Sequence, residues 1–303
     1  MADAHHALEA EERAFYLAHS VFSDPGDLSR LDGIPSDPAE LALIVRNLLI
    51  HREETSLFGF TLPDNRKNEA ETRYVSAILS IITERNDTPL TVARPPAKRF
   101  AGTCRDFALL LCSLLRSTGT PARIRCGFAA YFLTGLNEDH WVAEYWHAEK
   151  GWTLVDAQLP APELMEAFKI SFDPMDVPRD GFLVAGKAWR ACRSEGADPA
   201  TYGVSTIGLS GMDFVQSNVV RDLAALNKVE VLPWDGWDLA ERFHKDLHDS
   251  ELKLLDSVAE AESDGGPFSL VRNLFLANPG LRTPSSVTSH TTYAGTRTVS
   301  LRS

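Results

Sequence analysis

The chain has 303 residues, a formal net charge of −12 and a hydrophobic content of 44%, values typical of a globular protein with a substantial core. Nucleic-acid binding depends on clustered Lys and Arg, so the acidic charge and the lack of a basic stripe argue against a nucleic-acid partner. No stretch approaches the roughly 18 consecutive apolar residues of a membrane-spanning helix. The acidic N-terminus also lacks the features of a signal peptide. We therefore expect a cytoplasmic protein with no membrane partner.

The four cysteines follow neither a disulfide framework nor the CxxC spacing of a metal site. They are Cys104, Cys112, Cys126 and Cys192. This usage suits a reducing compartment, where a thiol stays available for reaction. Cys112 and Cys126 lie in apolar runs, and we expect both in the core. No metal and no organic cofactor is implied.

Helical patterns dominate both ends of the chain, whereas the centre also contains patterns typical of β-strands. The predicted elements are a helix opened by Ser36, helices over about 69–84 and 103–117, a strand over 123–132, a hairpin over 140–159, a short helix over 219–229 and a helix over about 238–262. The Ser/Thr-rich segment 283–303 contains no acidic residue and predicts a flexible tail. We expect a single domain over 1–280, with a helical N-terminal part over 1–85, a core over about 75–160 and a variable part over 160–280.

The segment from Gly102 to Asp106 has the residues of a helix start. Thr103 followed three residues later by Asp106 predicts a capping box, and leucines at helical spacing continue the pattern. Cys104 then lies in the first turn, where backbone N–H groups and the helix dipole favour a thiolate. Gly102 allows a substrate backbone to approach closely. We predict that Cys104 is a nucleophile, and the alternative is that it is a small core residue.

A predicted hairpin carries the two residues that could activate this thiol. His140 lies in its first strand and Asp156 at the end of its second. A loop of odd length centred on Ala148 would place the two residues directly opposite each other, about 5 Å apart, whereas an even loop would put them on opposite faces. Gly151 allows an odd loop. In such an arrangement His140 takes the thiol proton, and Asp156 holds the imidazole in the required tautomer.

These motifs, taken together, resemble the transglutaminase-like superfamily. The run G-T-C-R-D-F-A at 102–108, a leucine-rich helix and G-T-P-A-R at 119–123 are similar to the nucleophile segment of that family. His140 with Glu144 four residues later, and Trp152 before Asp156, resemble its histidine and aspartate strands. Trp141, however, follows the histidine one residue earlier than the family often has its tryptophan. The resemblance implies Cys104, His140 and Asp156 as a catalytic triad. It also implies a papain-like α+β fold, with the cysteine helix packed on an antiparallel sheet and with added N- and C-terminal helices.

The remaining candidates concern substrate binding. The backbone N–H of Cys104 is a candidate oxyanion donor, and Trp141, beside His140, is a candidate substrate-binding residue. Trp237 lies in an aromatic turn that could line a cleft, although core anchoring is the usual role of a buried aromatic residue. The polar segment from Tyr202 to Asn218 predicts irregular structure, and a loop of that length is often functional.

Three functions are consistent with these residues. The first is a hydrolase that cleaves an amide or related acyl bond through a thioester at Cys104. The second passes the same acyl group to an amine acceptor. The third is a binding domain that keeps the fold without catalysis. The partner is a peptide, a protein or a small acyl or amide compound, and the sequence indicates neither its identity nor the oligomeric state.

Overall fold

A computed structural model describes residues 8–263 and 266–303 of the chain. Nine α-helices occur in these residues: α1 (Ala10–Leu17), α2 (Pro38–Leu48), α3 (Val75–Arg85), α4 (Cys104–Ser117), α5 (Pro162–Ala167), α6 (Ala185–Ser194), α7 (Met212–Leu226), α8 (Asp249–Glu262) and α9 (Phe268–Ala277). The strands of the same residues are β1 (Leu49–His51), β2 (Phe100–Gly102), β3 (Ala122–Leu133), β4 (Leu136–His147), β5 (Gly151–Val155), β6 (Phe182–Val184), β7 (Tyr202–Val204), β8 (Leu209–Ser210), β9 (Asp235–Gly236), β10 (Ser286–Thr291) and β11 (Gly295–Ser300). The predicted α+β class is confirmed. None of these helices combines the length and the apolar character that a membrane span requires.

The chain divides into two compact units, and each is described by itself. The first contains the described residues up to Ile124 together with Val142–Val177, and the second contains Arg125–Trp141 and the described residues from Pro178 onward. Strands β3 and β4 both continue across this division along the chain. The prediction of a single domain over 1–280 stays a prediction.

Helix α4 is the centre of the first unit. Every residue from Cys104 to Arg116 is buried, and α4 packs against α1, α2, α3 and β2. Strand β2, which leads into α4, pairs in parallel with β1. Helix α2 begins at Pro38, and its cap is Asp37 rather than the predicted Ser36, because the Asp37 carboxylate accepts hydrogen bonds from the N–H groups of Ala39 and Glu40 at 3.0 Å.

The second unit combines a mixed sheet with helices. Its strands follow the order β6-β3-β4-β7-β8, in which β7 is parallel to β4. Helix α7 begins at Met212, well before the predicted residue 219, so Tyr202–Asn218 contains two strands and a helix start as well as irregular structure. Helix α8 begins at Asp249, and the preceding part of the predicted helix 238–262 has short 3₁₀ turns instead.

The C-terminal segment forms a β-hairpin of the second unit. Strands β10 and β11 pair antiparallel from Ser286 with Ser300 to Thr291 with Gly295, whereas composition alone predicts a flexible tail. Strand β10 also pairs with β9 through Ser289 and Asp235. These backbone hydrogen bonds, with Val287 buried beneath them, give the segment an ordered conformation that its polar composition does not indicate.

Candidate active site

Cys104 is the first residue of α4, and only Thr103 separates it from the end of β2. Its predicted place in the first helical turn is confirmed. The residue is only 7% exposed. In the first turn of a helix, backbone N–H groups have no carbonyl partner inside the helix, and their dipoles favour a negative charge. The position of Cys104 therefore suits a thiolate.

Asp106 caps the helix start that carries Cys104. Its carboxylate accepts a hydrogen bond from the backbone N–H of Thr103 at 2.9 Å, which confirms the predicted capping interaction. A Cβ atom on Gly102 would lie 2.8 Å from the same carboxylate and 3.1 Å from the ring of Phe100. Glycine at this position thus makes room for the cap, a structural reason that the sequence pattern does not reveal.

Arg105 and Asp106 form a fully buried ion pair at 3.0 Å. Arg105 also donates to the backbone carbonyl of Arg73 at 2.7 Å. Burial raises the pKa of Asp106, and the attraction of Arg105 and the hydrogen bonds from Thr103 act in the opposite direction. The residue after the predicted nucleophile therefore anchors the helix in the core.

His140 is buried in β4, in the second unit, and is surrounded by aromatic rings. The ring of Phe132 lies 4.9 Å from the imidazole, centroid to centroid, and those of Tyr131 and Phe182 lie 6.0 and 6.3 Å away. All three meet the imidazole edge to face. Such contacts restrict the orientation of the imidazole ring, which is what a general base requires.

Asp139, beside His140, belongs to a polar network that the sequence did not indicate. Its carboxylate accepts a hydrogen bond from the side-chain amide of Asn218 at 2.6 Å. Asn218 in turn accepts from Arg221 at 3.2 Å, and Arg221 donates to the backbone carbonyl of Asp235 at 3.0 Å. Burial raises the pKa of Asp139 to about 6, although the hydrogen bond from Asn218 and the charge of Arg221 oppose the shift.

Asp156 directly follows β5 and is buried in the first unit. Its backbone N–H donates to the carbonyl of Pro174 at 2.9 Å. One oxygen of its carboxylate accepts a hydrogen bond from the backbone N–H of Gln158, also at 2.9 Å. The carboxylate is thus held by the turn that begins at Asp156 itself.

The loop between β4 and β5 has three residues, so of the two alternatives left open by the sequence, an odd and an even loop, the structure has the odd one. Its centre is Glu149 rather than Ala148, because Gly151, with φ +76, already pairs with His147. The last pair in this register is Ala143 with Val155. Continued by one step, the register places Val142 opposite Asp156. The loop centred on Ala148, which would have placed His140 there, does not occur.

Two other residues of the hairpin motif have structural partners in the first unit. Glu144 is fully buried and accepts a hydrogen bond from Arg123 at 2.7 Å. The guanidinium of Arg123 lies 4.0 Å from the ring centroid of Trp152, and the indole N–H of Trp152 donates to Glu12 at 3.2 Å. These contacts join α1, β3, β4 and β5, which gives the motif residues a role in folding.

The candidate substrate-binding tryptophans differ in their surroundings. Trp237 is buried, and its indole N–H donates to the carbonyl of Leu281 at 3.3 Å, which favours the core-anchoring alternative. Trp141 is also buried, but within the described residues its indole nitrogen has no hydrogen-bond partner. Substrate binding by either residue stays a prediction.

Comparison with models of known protein families gives a match to the central part of the chain. Residues 65–157 match the family model of the transglutaminase-like superfamily, which confirms the resemblance. The matched segment contains Cys104, His140 and Asp156. No curated protein and no solved structure matches the chain. In residues 8–263 and 266–303, no group of three or more His, Cys, Asp or Glu residues could hold a metal ion.

Proposed function

We propose that this chain, with its transglutaminase-like segment at residues 65–157, is a cysteine hydrolase that cleaves an amide or a related acyl bond. Cys104 is the nucleophile, His140 the general base and acid, and Asp156 the residue that orients His140. The observation that carries the proposal is the place of Cys104 as the first residue of a capped helix inside the matched segment. Buried His140 and buried Asp156 follow it within the same matched segment.

The proposed reaction proceeds through a thioester. His140 takes the proton of the Cys104 thiol, and the thiolate attacks the carbonyl carbon of the substrate. The carbon–nitrogen bond then breaks, and the protonated imidazole of His140 donates the proton that it took from Cys104 to the departing amine. A water molecule, deprotonated by His140, attacks the thioester. The carbon–sulfur bond breaks, the acid leaves, and Cys104 recovers its proton.

The developing oxyanion needs hydrogen-bond donors. We assign the backbone N–H of Cys104 to this role, because first-turn N–H groups point away from the helix body. Trp141 is retained as a substrate-binding residue. A buried indole N–H that has no hydrogen-bond partner among the described residues could donate to a bound polar group, which would remove the cost of leaving it unsatisfied.

The alternative is an acyltransferase, in which an amine rather than water attacks the thioester and an amide is formed. Both reactions use the same three residues and the same intermediate, so they differ only in the acceptor. A binding domain without catalysis is the remaining alternative, and it predicts that replacing Cys104 has no effect on function. The substrate is a peptide, a protein or a small acyl or amide compound.

The test is the pH dependence of iodoacetamide alkylation at each of the four cysteines, followed by peptide mass spectrometry. Cys192 is an internal control, because it is more exposed than Cys104 while burial raises its thiol pKa to about 11. We expect Cys104 to react fastest, with an apparent pKa below the roughly 8.5 of an ordinary thiol. His140→Ala should remove this advantage.

The proposal fails if Cys104 reacts no faster than Cys192 at neutral pH, or if its rate is the same in His140→Ala. Once Cys104 is shown to be reactive, hydrolysis and transfer can be separated with an activated acyl ester. Added glycinamide leaves the product a free acid for a hydrolase and converts it to an amide for an acyltransferase.

A further inference from the structure

We propose that Gln158 is a positioning residue for Asp156, and that it acts through a buried hydrogen bond to Glu54. This inference rests on the proposed function, because it concerns the carboxylate that orients the general base. All of its residues lie in the first unit.

The first contact is between Gln158 and Asp156. The backbone N–H of Gln158 donates to a carboxylate oxygen of Asp156 at 2.9 Å. Because the donor is two residues from the acceptor, the direction of the carboxylate depends on the path of the chain through 156–158. A side chain that fixes Gln158 in space therefore also fixes the carboxylate of Asp156.

The second contact provides that fixation. The side-chain amide of Gln158 donates a hydrogen bond to the carboxylate of Glu54, and both residues are buried. A hydrogen bond to a buried carboxylate is charge-assisted and stronger than a neutral one. The turn after β5 is thus attached to a segment about a hundred residues earlier in the chain.

The Glu54 segment is itself attached to the strand that leads to Cys104. Glu54 follows β1, which pairs in parallel with β2 so that His51 lies beside Gly102. The N–H of Arg52 donates to the carbonyl of Gly102 at 2.9 Å, and the N–H of Glu54 donates to the carbonyl of His51 at 3.0 Å. Glu54 therefore connects the turn of Asp156 with the backbone two residues before the nucleophile.

Arg46 supplies the positive charge that a buried carboxylate needs. Its guanidinium lies 3.9 Å from the second carboxylate oxygen of Glu54 and packs over the rings of Phe58 and Phe107, at 4.5 and 5.3 Å from their centroids. Burial lowers the pKa of Arg46 to about 10, so it remains a cation at neutral pH, and the charges of Glu54 and Asp156 both favour that form. The network thus pairs its buried charges instead of leaving Glu54 uncompensated.

The experiment compares Gln158→Leu with the wild type in the alkylation profile of Cys104. Leucine keeps the approximate size of the side chain but removes the amide donor. We expect the apparent pKa of Cys104 to rise and its alkylation at pH 7 to slow by about three- to tenfold, because a misdirected Asp156 stabilises the imidazolium less well. In an Asp156→Asn background, Gln158→Leu should change the profile little.

Gln216→Leu is the matched control, because Gln216 is also a buried glutamine whose amide donates hydrogen bonds, at 2.9 Å to the backbone carbonyls of Leu239 and Arg242. It should lower stability without moving the Cys104 profile. A second variant exchanges the partners, with Glu54→Gln and Gln158→Glu in one chain. It keeps the net charge and restores an amide–carboxylate hydrogen bond, although it moves the carboxylate off the residue that Arg46 contacts, so its profile should lie closer to that of the wild type than to that of Asp156→Asn.

The inference is overturned if Cys104 is fast in the wild type and slowed by Asp156→Asn, but Gln158→Leu leaves its profile unchanged. Where Gln158→Leu does not fold, the exchanged pair decides, and a profile as slow as that of Asp156→Asn overturns the inference. A wild-type Cys104 with no enhanced reactivity would instead contradict the proposed function. The two failures are therefore distinguishable.

Discussion

The carboxylate of Asp106 accepts a hydrogen bond from the backbone N–H of Thr103, the residue immediately before Cys104, at 2.9 Å. The same carboxylate is paired with the fully buried guanidinium of Arg105. One side chain therefore sets the first turn of α4 and compensates a charge in the core. The start of the helix, and with it the orientation of the Cys104 thiol, depends on this carboxylate.

Replacing Asp106 with alanine should lower the free energy of unfolding by about 3–5 kcal/mol, because it leaves the Arg105 charge buried without its carboxylate. Urea denaturation followed by circular dichroism measures the change. Glu251→Ala is the matched control, since Glu251 also accepts from the N–H before its helix and pairs with an arginine, Arg242, but closer to solvent. A loss of about 1 kcal/mol is expected there. Equal losses in the two variants would contradict the importance of burial.

Gly102→Ala should destabilise the protein by about 1–3 kcal/mol, because the new Cβ would lie 2.8 Å from the carboxylate of Asp106 and would displace it from Thr103. Thermal unfolding measures the effect, and Cys104 alkylation should slow in the same variant. Gly236→Ala is the control, since its new Cβ would have a looser contact, with the Cβ of Glu241 at 3.3 Å. A stable Gly102→Ala variant would show that the cap can shift without cost.

Asp139→Asn should stabilise the protein at pH 7.5 and have little effect near pH 4. The folded-state pKa of Asp139 is raised to about 6, whereas an Asp of the unfolded chain has a pKa of about 3.9. Between these two values the native state keeps a proton that the unfolded state has released, so the stability of the protein falls as the pH rises from about 4 to about 6. Asparagine removes that penalty and can still accept the hydrogen bond from Asn218. Because the residue keeps some exposure, we expect a gain on the order of 1–2 kcal/mol.

Urea titrations of both proteins between pH 4 and pH 8 measure this difference. Their stabilities should separate progressively from about pH 4, where the unfolded chain begins to release this proton, and differ by a constant amount above about pH 7. A difference that does not depend on pH would show that the gain comes from packing and not from the protonation of Asp139.

Glu144→Gln should lower stability by about 1–3 kcal/mol while leaving the pH profile of Cys104 alkylation unchanged, because Glu144 pairs with Arg123 and supports the packing of the hairpin. Glu12→Gln is the control, because Glu12 forms an ion pair with the same guanidinium, that of Arg123. Its carboxylate is 3.6 Å from Arg123 and more accessible, so a loss of about 0–1 kcal/mol is expected. An altered profile of Cys104 in Glu144→Gln would assign this motif residue to the site.

Local patterns in the sequence were sufficient for the elements that carry the candidate site. Thr103, Asp106 and the leucine spacing predict α4 and the place of Cys104, because capping and helical periodicity depend on residues three or four positions apart. Gly151 allows an odd hairpin loop without requiring one, so the structure and not the local pattern decided the loop length and the register. Helix α6 was not predicted, because its buried face consists mainly of small residues, Ala185, Gly186 and Ala188, with Trp189, rather than of a run of leucines.

Only the tertiary structure decided which distant residues support that site. The hydrogen bond between Gln158 and Glu54, the ring contact between Phe182 and His140 and the pairing of β10 with β9 join segments far apart in the chain. No local periodicity records such contacts, because they depend on how the elements pack and not on any one element. The amino-acid sequence by itself therefore determined the identity of the candidate nucleophile and its helix, and packing determined the surroundings in which that helix lies.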